Sequence, residues 1–252
     1  MSKGTAGTDA GQAPNKGIAE QLTELARDLQ QETRVEQVLD EIVATAIRLI
    51  PHAAEASISV VKARKAVESR AASGQLPRAV DAVQSETGQG PCLDAAFREQ
   101  IVRVPDMNEE ARWPRFAERA WELGARSMLS FQLFVAGDNL GALNVYGDTV
   151  GAFDEDDEEI GLLLAAHAAV AFADSQEISQ LNAALVNRDI IGQAKGILME
   201  RHKISARQAF TLIATASTNT NTKLIDVAEH LTQAGQLTTG RTPRTTSRTE
   251  AR

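Results

Sequence analysis

The feature that most constrains this chain is a long helical pattern without proline, which begins near Asp154 and continues past Leu185. Six acidic residues in a row, 154–159, open it. Acidic side chains in a first turn offset the positive end of the helix dipole, so we interpret this run as a helix start rather than a metal site. After it, residues spaced alternately four and three apart form one seam, the coiled-coil period. The seam consists of Ile160, Leu164, His167, Ala171, Asp174, Ile178, Leu181 and Leu185.

This seam allows two interpretations. It could pack on a sheet, or it could mediate dimerisation. We expect its first half to pack on the sheet and its second half to pair between two copies of the chain.

The segment before the long helix alternates short strand-like runs with short helical patterns. Residues 56–61, 127–135 and 140–146 are apolar and strand-like, and a four-residue turn between the last two predicts a hairpin. The order of the patterns predicts an antiparallel sheet with helices packed against it, an α+β fold. The helical patterns cover 80–86, 92–98 and 115–123.

The segment after residue 177 contains three helical patterns that predict a small bundle. The first has an apolar face that includes Ile190, Ala194 and Leu198. Ser205 and Gln208 are spaced as a capping box, which predicts the start of a second helix over 206–216. A polar turn, 217–222, separates that helix from a third over 224–234.

These patterns divide the chain into four parts. Residues 1–16 and 238–252 have no apolar periodicity, so we predict a disordered N-terminus and a disordered basic tail. Residues 17–176 form the α+β domain with its flanking helices. Residues 177–237 form the bundle.

Composition excludes several classes of protein. The one cysteine, Cys92, rules out an internal disulfide and a cysteine-rich zinc site. No stretch approaches 18 apolar residues, and the first 16 residues lack the apolar core of a secretion signal, so we expect a cytoplasmic protein. The four histidines show no metal-binding spacing, and no nucleophile elbow or Walker sequence occurs, so we expect neither a metal site nor an enzyme.

Charge differs between the two ends of the chain. The net charge is −8, yet residues 181–252 hold 10 basic and 5 acidic side chains, against 16 and 29 in residues 1–180. A locally basic module can bind a polyanion although the whole chain is acidic. A solvated face and a charged tail explain the same numbers, so charge alone favours nucleic acid only weakly.

Two sets of residues are candidates for binding. The first could line a small-molecule cavity in the α+β domain or form its core, and the sequence favours neither. It consists of Cys92, Met107, Trp113, Phe116, Trp121 and Met128. The second could contact the phosphates and bases of a nucleic acid, or be a solvated face. It consists of Arg188, Lys195, Arg201, Lys203, Asn219, Asn221 and Lys223.

The C-terminal bundle resembles an ANTAR domain. The resemblance lies in the run Arg188-Asp-Ile-Ile-Gly-Gln-Ala-Lys-Gly-Ile-Leu-Met199 and in the segments 205–210 and 221–228, and it covers about residues 177–237. It implies binding of RNA, typically paired short stem-loops, antitermination of transcription and action as a dimer. It also implies that Lys195 and Arg188 form the basic face, and that Ala194 and Gly196 allow close helix packing.

The preceding domain is similar to a GAF domain, a sensory fold with a central antiparallel sheet. The quoted features are Glu86–Ala95, Val104-Pro-Asp106, Gly141–Tyr146 and Ala152-Phe-Asp154. GAF ligands include cyclic nucleotides, haem and tetrapyrroles, and some GAF domains bind none, so the resemblance names no single cofactor. The Asn-Lys-x-Phe-Asp-Glu signature of cyclic-nucleotide GAF domains is absent, which argues against that ligand.

The sequence therefore predicts a signal-responsive, RNA-binding transcription antitermination regulator that acts as a homodimer. Phe210, the only aromatic residue of the bundle, is expected in its core, so we expect Arg, Lys and Asn contacts to RNA rather than stacking. One alternative is a ligand-binding sensor whose bundle recruits a protein. Another is a thiol enzyme at Cys92, which we expect instead to be a small buried apolar residue.

Overall fold

The computed structural model describes residues 34–62, 66–136 and 138–237, together with residues 17, 20–21, 23–27, 29 and 32. The disorder predicted for 1–16 and 238–252 falls outside the described residues. The chain divides into two compact units, Met1–Ser179 and Gln180–Arg252.

The first unit is built on a five-stranded antiparallel sheet, as the strand-like runs predicted. The strand order is β2-β1-β5-β4-β3. β4 and β5 form the predicted hairpin, with Phe131 opposite Leu143. The strands are β1 (Glu55–Lys62), β2 (Ala66–Ala72), β3 (Ile101–Val104), β4 (Ser127–Val135) and β5 (Asp138–Gly147).

Helices cover both faces of this sheet. Because successive side chains of a strand point to opposite faces, β4 sends Leu129, Phe131 and Leu133 to one face, where they join the core formed with α1 and the first part of α5. Met128 points to the other face and packs in a second core with α2, α3 and α4. The helices are α1 (Val35–Leu49), α2 (Gln75–Thr87), α3 (Pro91–Phe97), α4 (Pro114–Leu123) and α5 (Glu155–His202).

The long helix α5 has 48 residues and begins at the predicted acidic run. Its first part packs on the sheet, as predicted. Three of the four residues in the first half of the seam take part, since Leu164 is buried and Ile160 and Ala171 pack against the same core. His167 and, further along, Asp174 are exposed, because these polar side chains remain hydrated. The other buried residues lie beside the seam, at Ala165, Ala168, Ala169 and Phe172.

A glycine sets the distance between α5 and the sheet. A Cβ atom added to Gly161 would lie 2.1 Å from the ring of Phe131, closer than real atoms approach. Because Gly161 has no side chain, α5 lies directly on the aromatic ring of Phe131.

The second unit packs the last part of α5 against α6 (Ala206–Thr220) and α7 (Leu224–Ala234). α6 begins with the predicted capping box of Ser205 and Gln208. It ends four residues later than predicted, and within these added residues Thr218 and Thr220 donate their hydroxyl hydrogens to carbonyl oxygens one turn earlier. The buried core consists of Ala194, Leu198, Ala209, Ile213, Val227, Ala228 and Leu231.

Two of the small residues expected to allow close packing differ in their surroundings. Ala194 is fully buried, as implied. Gly196 is exposed, and a Cβ atom added there would meet nothing within 4 Å. The expectation was wrong for Gly196 within the described chain, because this residue faces away from the core of the unit.

Candidate nucleic-acid interface and sensor face

An open cleft lies in the second unit, between the last part of α5 and the start of α6. It has a volume of about 540 Å³. Six exposed or half-buried residues of α5 follow helical spacing along its wall, and the seventh lining residue is Phe210 of α6. We call it the basic cleft, and its lining consists of Ala184, Asn187, Arg188, Ile191, Gly192, Lys195 and Phe210.

Neither cation of the basic cleft has an acidic partner among the residues that the structure describes. Among the ion pairs of the described residues, none includes Arg188 or Lys195. Arg188 is exposed and Lys195 is half-buried. An open cavity lined by two unneutralised positive charges attracts anions, and phosphate groups are the anions of a nucleic acid.

Two further basic residues predicted to bind RNA take part in contacts within the unit. Arg201 donates a hydrogen bond to the carbonyl oxygen of Gly235, the residue that ends α7. Lys203 pairs with Glu200, one turn earlier on the same chain. Their positive charges are therefore partly used to hold helix ends.

The remaining predicted RNA contacts lie at the other end of α6. Asn219 is in the last turn of α6, Asn221 ends that helix in a left-handed conformation with φ of 50°, and Lys223 precedes α7. At 1.5 Å per helical residue, Asn219 is roughly 13 Å along α6 from Phe210. The structure therefore brings Arg188 and Lys195 together and places the three other residues apart from them.

The prediction of Phe210 as a core residue was wrong. Its side chain is 44% exposed, whereas its neighbour Ala209 and the later Ile213 are fully buried. α6 packs through Ala209 because this small side chain allows the closest approach of α6 to the last part of α5. The ring of Phe210 faces outward into the basic cleft.

In the first unit, the six residues that the sequence left open as a cavity lining or a core pack as a core against the sheet. Cys92, Met107, Phe116 and Met128 are fully buried, and the six residues belong to one apolar cluster. Of them, Trp113 also lines a shallow cleft of about 430 Å³ beside Gly88–Gly90. There its ring nitrogen donates to Asp94 at 3.0 Å, and the Arg112 guanidinium lies 4.3 Å from the ring centre.

The sequence did not predict a group of polar side chains buried on this same face of the sheet. Ser59 donates to Asp81 of α2 at 2.7 Å, and Ser130 donates to Asn144 at 2.6 Å. The Asn144 amide in turn donates to Ser59 at 3.1 Å. We call this the buried polar cluster, and it consists of Ser57, Ser59, Asp81, Ser130 and Asn144, all at most 1% exposed.

Burial raises the pKa of Asp81 from 3.8 to about 6, although the surrounding hydroxyl groups act in the opposite direction. The Asp81 carboxyl group therefore changes its protonation state near pH 6 rather than near pH 3.8. A signal for the cluster was present in the sequence, since Asn144 interrupts an apolar strand and two serines alternate with apolar residues in β1.

Cys92 is buried at the start of α3, as predicted. Its backbone N–H donates to the side-chain oxygen of Gln84 at 2.9 Å. Burial, and then the nearby Asp81 carboxylate, raise the pKa of the Cys92 thiol well above its usual range. The thiolate form that nucleophilic chemistry requires is therefore strongly disfavoured.

The acidic run at the start of α5 forms a helix cap. The backbone N–H of Asp154 donates to the Asp157 carboxylate and the N–H of Asp157 donates to the Asp154 carboxylate, both at 3.0 Å. His52 Nδ1 lies 2.8 Å from the Asp157 carboxylate, and this hydrogen bond raises the pKa of His52. These three side chains are close enough to ligate one cation. However, both carboxylates already accept hydrogen bonds within the helix cap, and Asp157 is also bonded to His52.

In the part of the chain that the structure describes, no helix combines the length and the apolar character needed to cross a membrane.

Comparison with solved structures supports the fold of the first unit. The chain is similar to the free methionine-R-sulfoxide reductase of Neisseria meningitidis, with 19% identity and a TM-score of 0.51 over 68% of this chain and 98% of that one. It is also similar to the GAF domain of a phosphoenolpyruvate-protein phosphotransferase from Coxiella burnetii, with 18% identity and a TM-score of 0.51 over 67% and 99%. At such identities the likeness concerns the fold alone. No curated protein matches this chain.

Two families match successive parts of the sequence. The GAF domain family matches residues 32–173, more than half of the chain, and the ANTAR domain family matches residues 179–231. The first match indicates a sensor domain and the second indicates RNA-binding regulation by antitermination. The chain therefore belongs to the GAF family and has the GAF–ANTAR architecture, a sensor fold followed by a C-terminal ANTAR domain.

Proposed function

We propose that this chain is a signal-responsive transcription antitermination regulator that binds paired stem-loops in nascent RNA as a homodimer. The GAF–ANTAR architecture supports the class of function. The proposed place of action is the cytoplasm, where an antiterminator meets its transcripts.

The observation that carries the proposal is the basic cleft in the ANTAR unit. Arg188 and Lys195 present two uncompensated positive charges there, on a chain whose net charge is −8. Phosphate contacts from Lys and Arg supply most of the affinity of proteins for nucleic acid and make it depend on salt. We expect an acidic protein with such a basic cleft to bind RNA at that place rather than over its whole surface.

Dimerisation is supported by exposed apolar residues on α5. Ile178, Leu181 and Leu185 of the predicted seam are 40%, 58% and 60% exposed. Single exposed apolar residues are common, but three at coiled-coil spacing favour pairing with the same face of a second copy. We propose that this pairing presents two basic clefts to two RNA loops.

Two linked binding sites explain why the RNA should carry two stem-loops. Once the first loop is bound, the second is held at a high effective concentration, so modest affinity for each loop is sufficient. We propose that a signal at the GAF domain changes this pairing. The chemistry of the reductase that shares the fold is not part of the proposal, because the one cysteine of this chain is buried with a raised pKa.

The test is a salt titration of RNA binding by the full-length protein. The probe is an RNA with two adjacent short-loop hairpins, and the control is either hairpin alone. We expect tighter binding of the paired RNA than of either hairpin. We also expect the logarithm of the affinity to fall linearly with the logarithm of the salt concentration, with a slope that corresponds to a few phosphate contacts.

A second variant tests the dimer. Leu181→Glu with Leu185→Glu is expected to reduce the mass measured by sedimentation equilibrium to that of one chain and to abolish the preference for paired hairpins. Absence of RNA binding at low salt, both by the full chain and by residues 177–237, would contradict the proposal. It would favour recruitment of a protein by the bundle instead.

A further inference from the structure

The observation behind this inference is the position of Phe210. It is the single aromatic residue after Phe172, and it is 44% exposed although an apolar core is available beside it. An isolated exposed aromatic ring is ordinary on a protein surface. This ring, however, lines a cleft whose other side carries Arg188 and Lys195.

The basic cleft has room for a flat group against that ring. Its volume of about 540 Å³ lies within the range of small-ligand sites. The cleft is open at Gly192, where a Cβ atom added to the backbone would meet no protein atom within 4 Å. Asn187, also in the lining, carries an amide that can both donate and accept hydrogen bonds.

The three kinds of group in the cleft match the parts of one nucleotide. An aromatic ring stacks on a base, an amide can pair with the edge of a base, and uncompensated cations attract the phosphate. An apolar peptide would leave the two charges without a partner. A second copy of the same cleft would bring further positive charges to them.

We infer that the basic cleft holds one unpaired nucleotide of an RNA loop, with its base stacked on Phe210 and its phosphate beside Arg188 and Lys195. The inference rests on the proposed function and extends it, because it assigns the recognition of unpaired bases to a residue expected to be in the core. RNA loops are the usual targets of such recognition because their bases are free to leave the stack.

The experiment uses the full-length protein and a pool of RNAs, each with two adjacent hairpins and randomised loops, selected for binding to the wild type. Phe210→Leu keeps an apolar side chain and removes the stacking surface, whereas Phe210→Trp keeps it. We expect Phe210→Leu to weaken binding of the selected RNA by about 10- to 100-fold and Phe210→Trp to bind within about threefold of the wild type.

A matched pair of glycine variants tests the cleft itself. Gly192→Leu fills it, and Gly196→Leu adds the same side chain on the same helix in open space outside it. We expect the first to weaken binding by about tenfold or more and the second to leave it unchanged. Both replace glycine within a helix, so neither should lower the unfolding temperature.

Ultraviolet cross-linking locates the contact directly. We expect a nucleotide adduct on the tryptic peptide 208–223, whose only aromatic residue is Phe210. Tight RNA binding by Phe210→Leu, with the adduct on another peptide, would overturn the inference and leave the proposed function standing. A change of oligomeric mass in Phe210→Leu would also overturn it, since the cleft would then be a contact between copies. A pool from which no RNA is selected would refute the proposed function, and the inference with it.

Discussion

The buried polar cluster of the first unit and the basic cleft of the second differ in where the partners of their polar groups are. The buried polar cluster of the GAF unit satisfies its hydrogen-bonding groups internally, as when Asn144 links Ser130 to Ser59. The basic cleft of the ANTAR unit leaves Arg188 and Lys195 without partners among the described residues. A site with internal partners contributes to stability, and a site without them is available for a ligand. Changes in the cluster should therefore affect folding, and changes in the cleft should affect binding.

The largest expected effect comes from Asn144→Ala in the buried polar cluster. It leaves the buried hydroxyl of Ser130 without its acceptor, removes a donor from Ser59 and opens a small cavity, so we expect a loss of about 3–4 kcal/mol in the free energy of unfolding. Urea denaturation measures it. The control Asn108→Ala changes an exposed asparagine and should cost under about 0.5 kcal/mol. Equal losses in both variants would remove the distinction between the two sites.

The next effect is a dependence of stability on pH. Burial raises the pKa of Asp81 from 3.8 to about 6, so the folded state binds its proton more tightly than the unfolded chain. The contribution of Asp81 to the free energy of unfolding is complete below about pH 4 and is lost as the pH rises through about 6. The change amounts to about 2–3 kcal/mol. We expect Asp81→Asn to remove this part of the profile in denaturation series from pH 4 to 7. Superimposable profiles of wild type and variant would contradict the assignment.

In the basic cleft, Lys195→Glu should affect binding alone. We expect RNA affinity to fall by about tenfold or more and the salt dependence to become shallower, while the unfolding temperature stays within about 2 °C. The control Arg207→Glu makes the same change of charge at an exposed residue outside the cleft. If both variants lose the same affinity, overall charge and not the cleft determines binding.

The smallest effect is expected from Cys92→Ser. The substitution places a hydroxyl group beside Asp81 and Asn144 with little change of volume, and we expect a loss of about 1 kcal/mol or less in stability. RNA binding by the folded protein should be unchanged, which gel-shift titration measures. A large loss of RNA binding with normal stability would point to a role of the thiol that burial argues against.

The sequence predicted those parts of the fold that follow from local patterns. The β4–β5 hairpin was predicted because two apolar runs flank a short turn, and the α6 cap because Ser205 and Gln208 have the required spacing. The packed face of α5 was predicted in part. Leu164 of the seam is buried, but the face is centred on Ala168 and not on His167, and only the sheet decides between these two adjacent positions.

The sites were harder to predict than the fold. Arg188 and Lys195 were singled out by their helical spacing, and they share the basic cleft. Phe210 was misassigned because it is adjacent to Ala209 in sequence, and apolarity alone does not tell which of the two faces inward. The buried polar cluster joins residues up to 87 positions apart, so local patterns mark single members such as Asn144 but do not show which residues meet.

The contact between Gly161 and Phe131 has a consequence for how this chain tolerates change over evolution. Since a Cβ atom at 161 would overlap the ring, Gly161→Ala alone is expected to push α5 away from the sheet, and a smaller residue at 131 alone is expected to leave a void. Only a joint exchange, larger at 161 and smaller at 131, restores the fit. These two positions should therefore covary among descendants of this sequence, although they lie 30 residues apart on different elements.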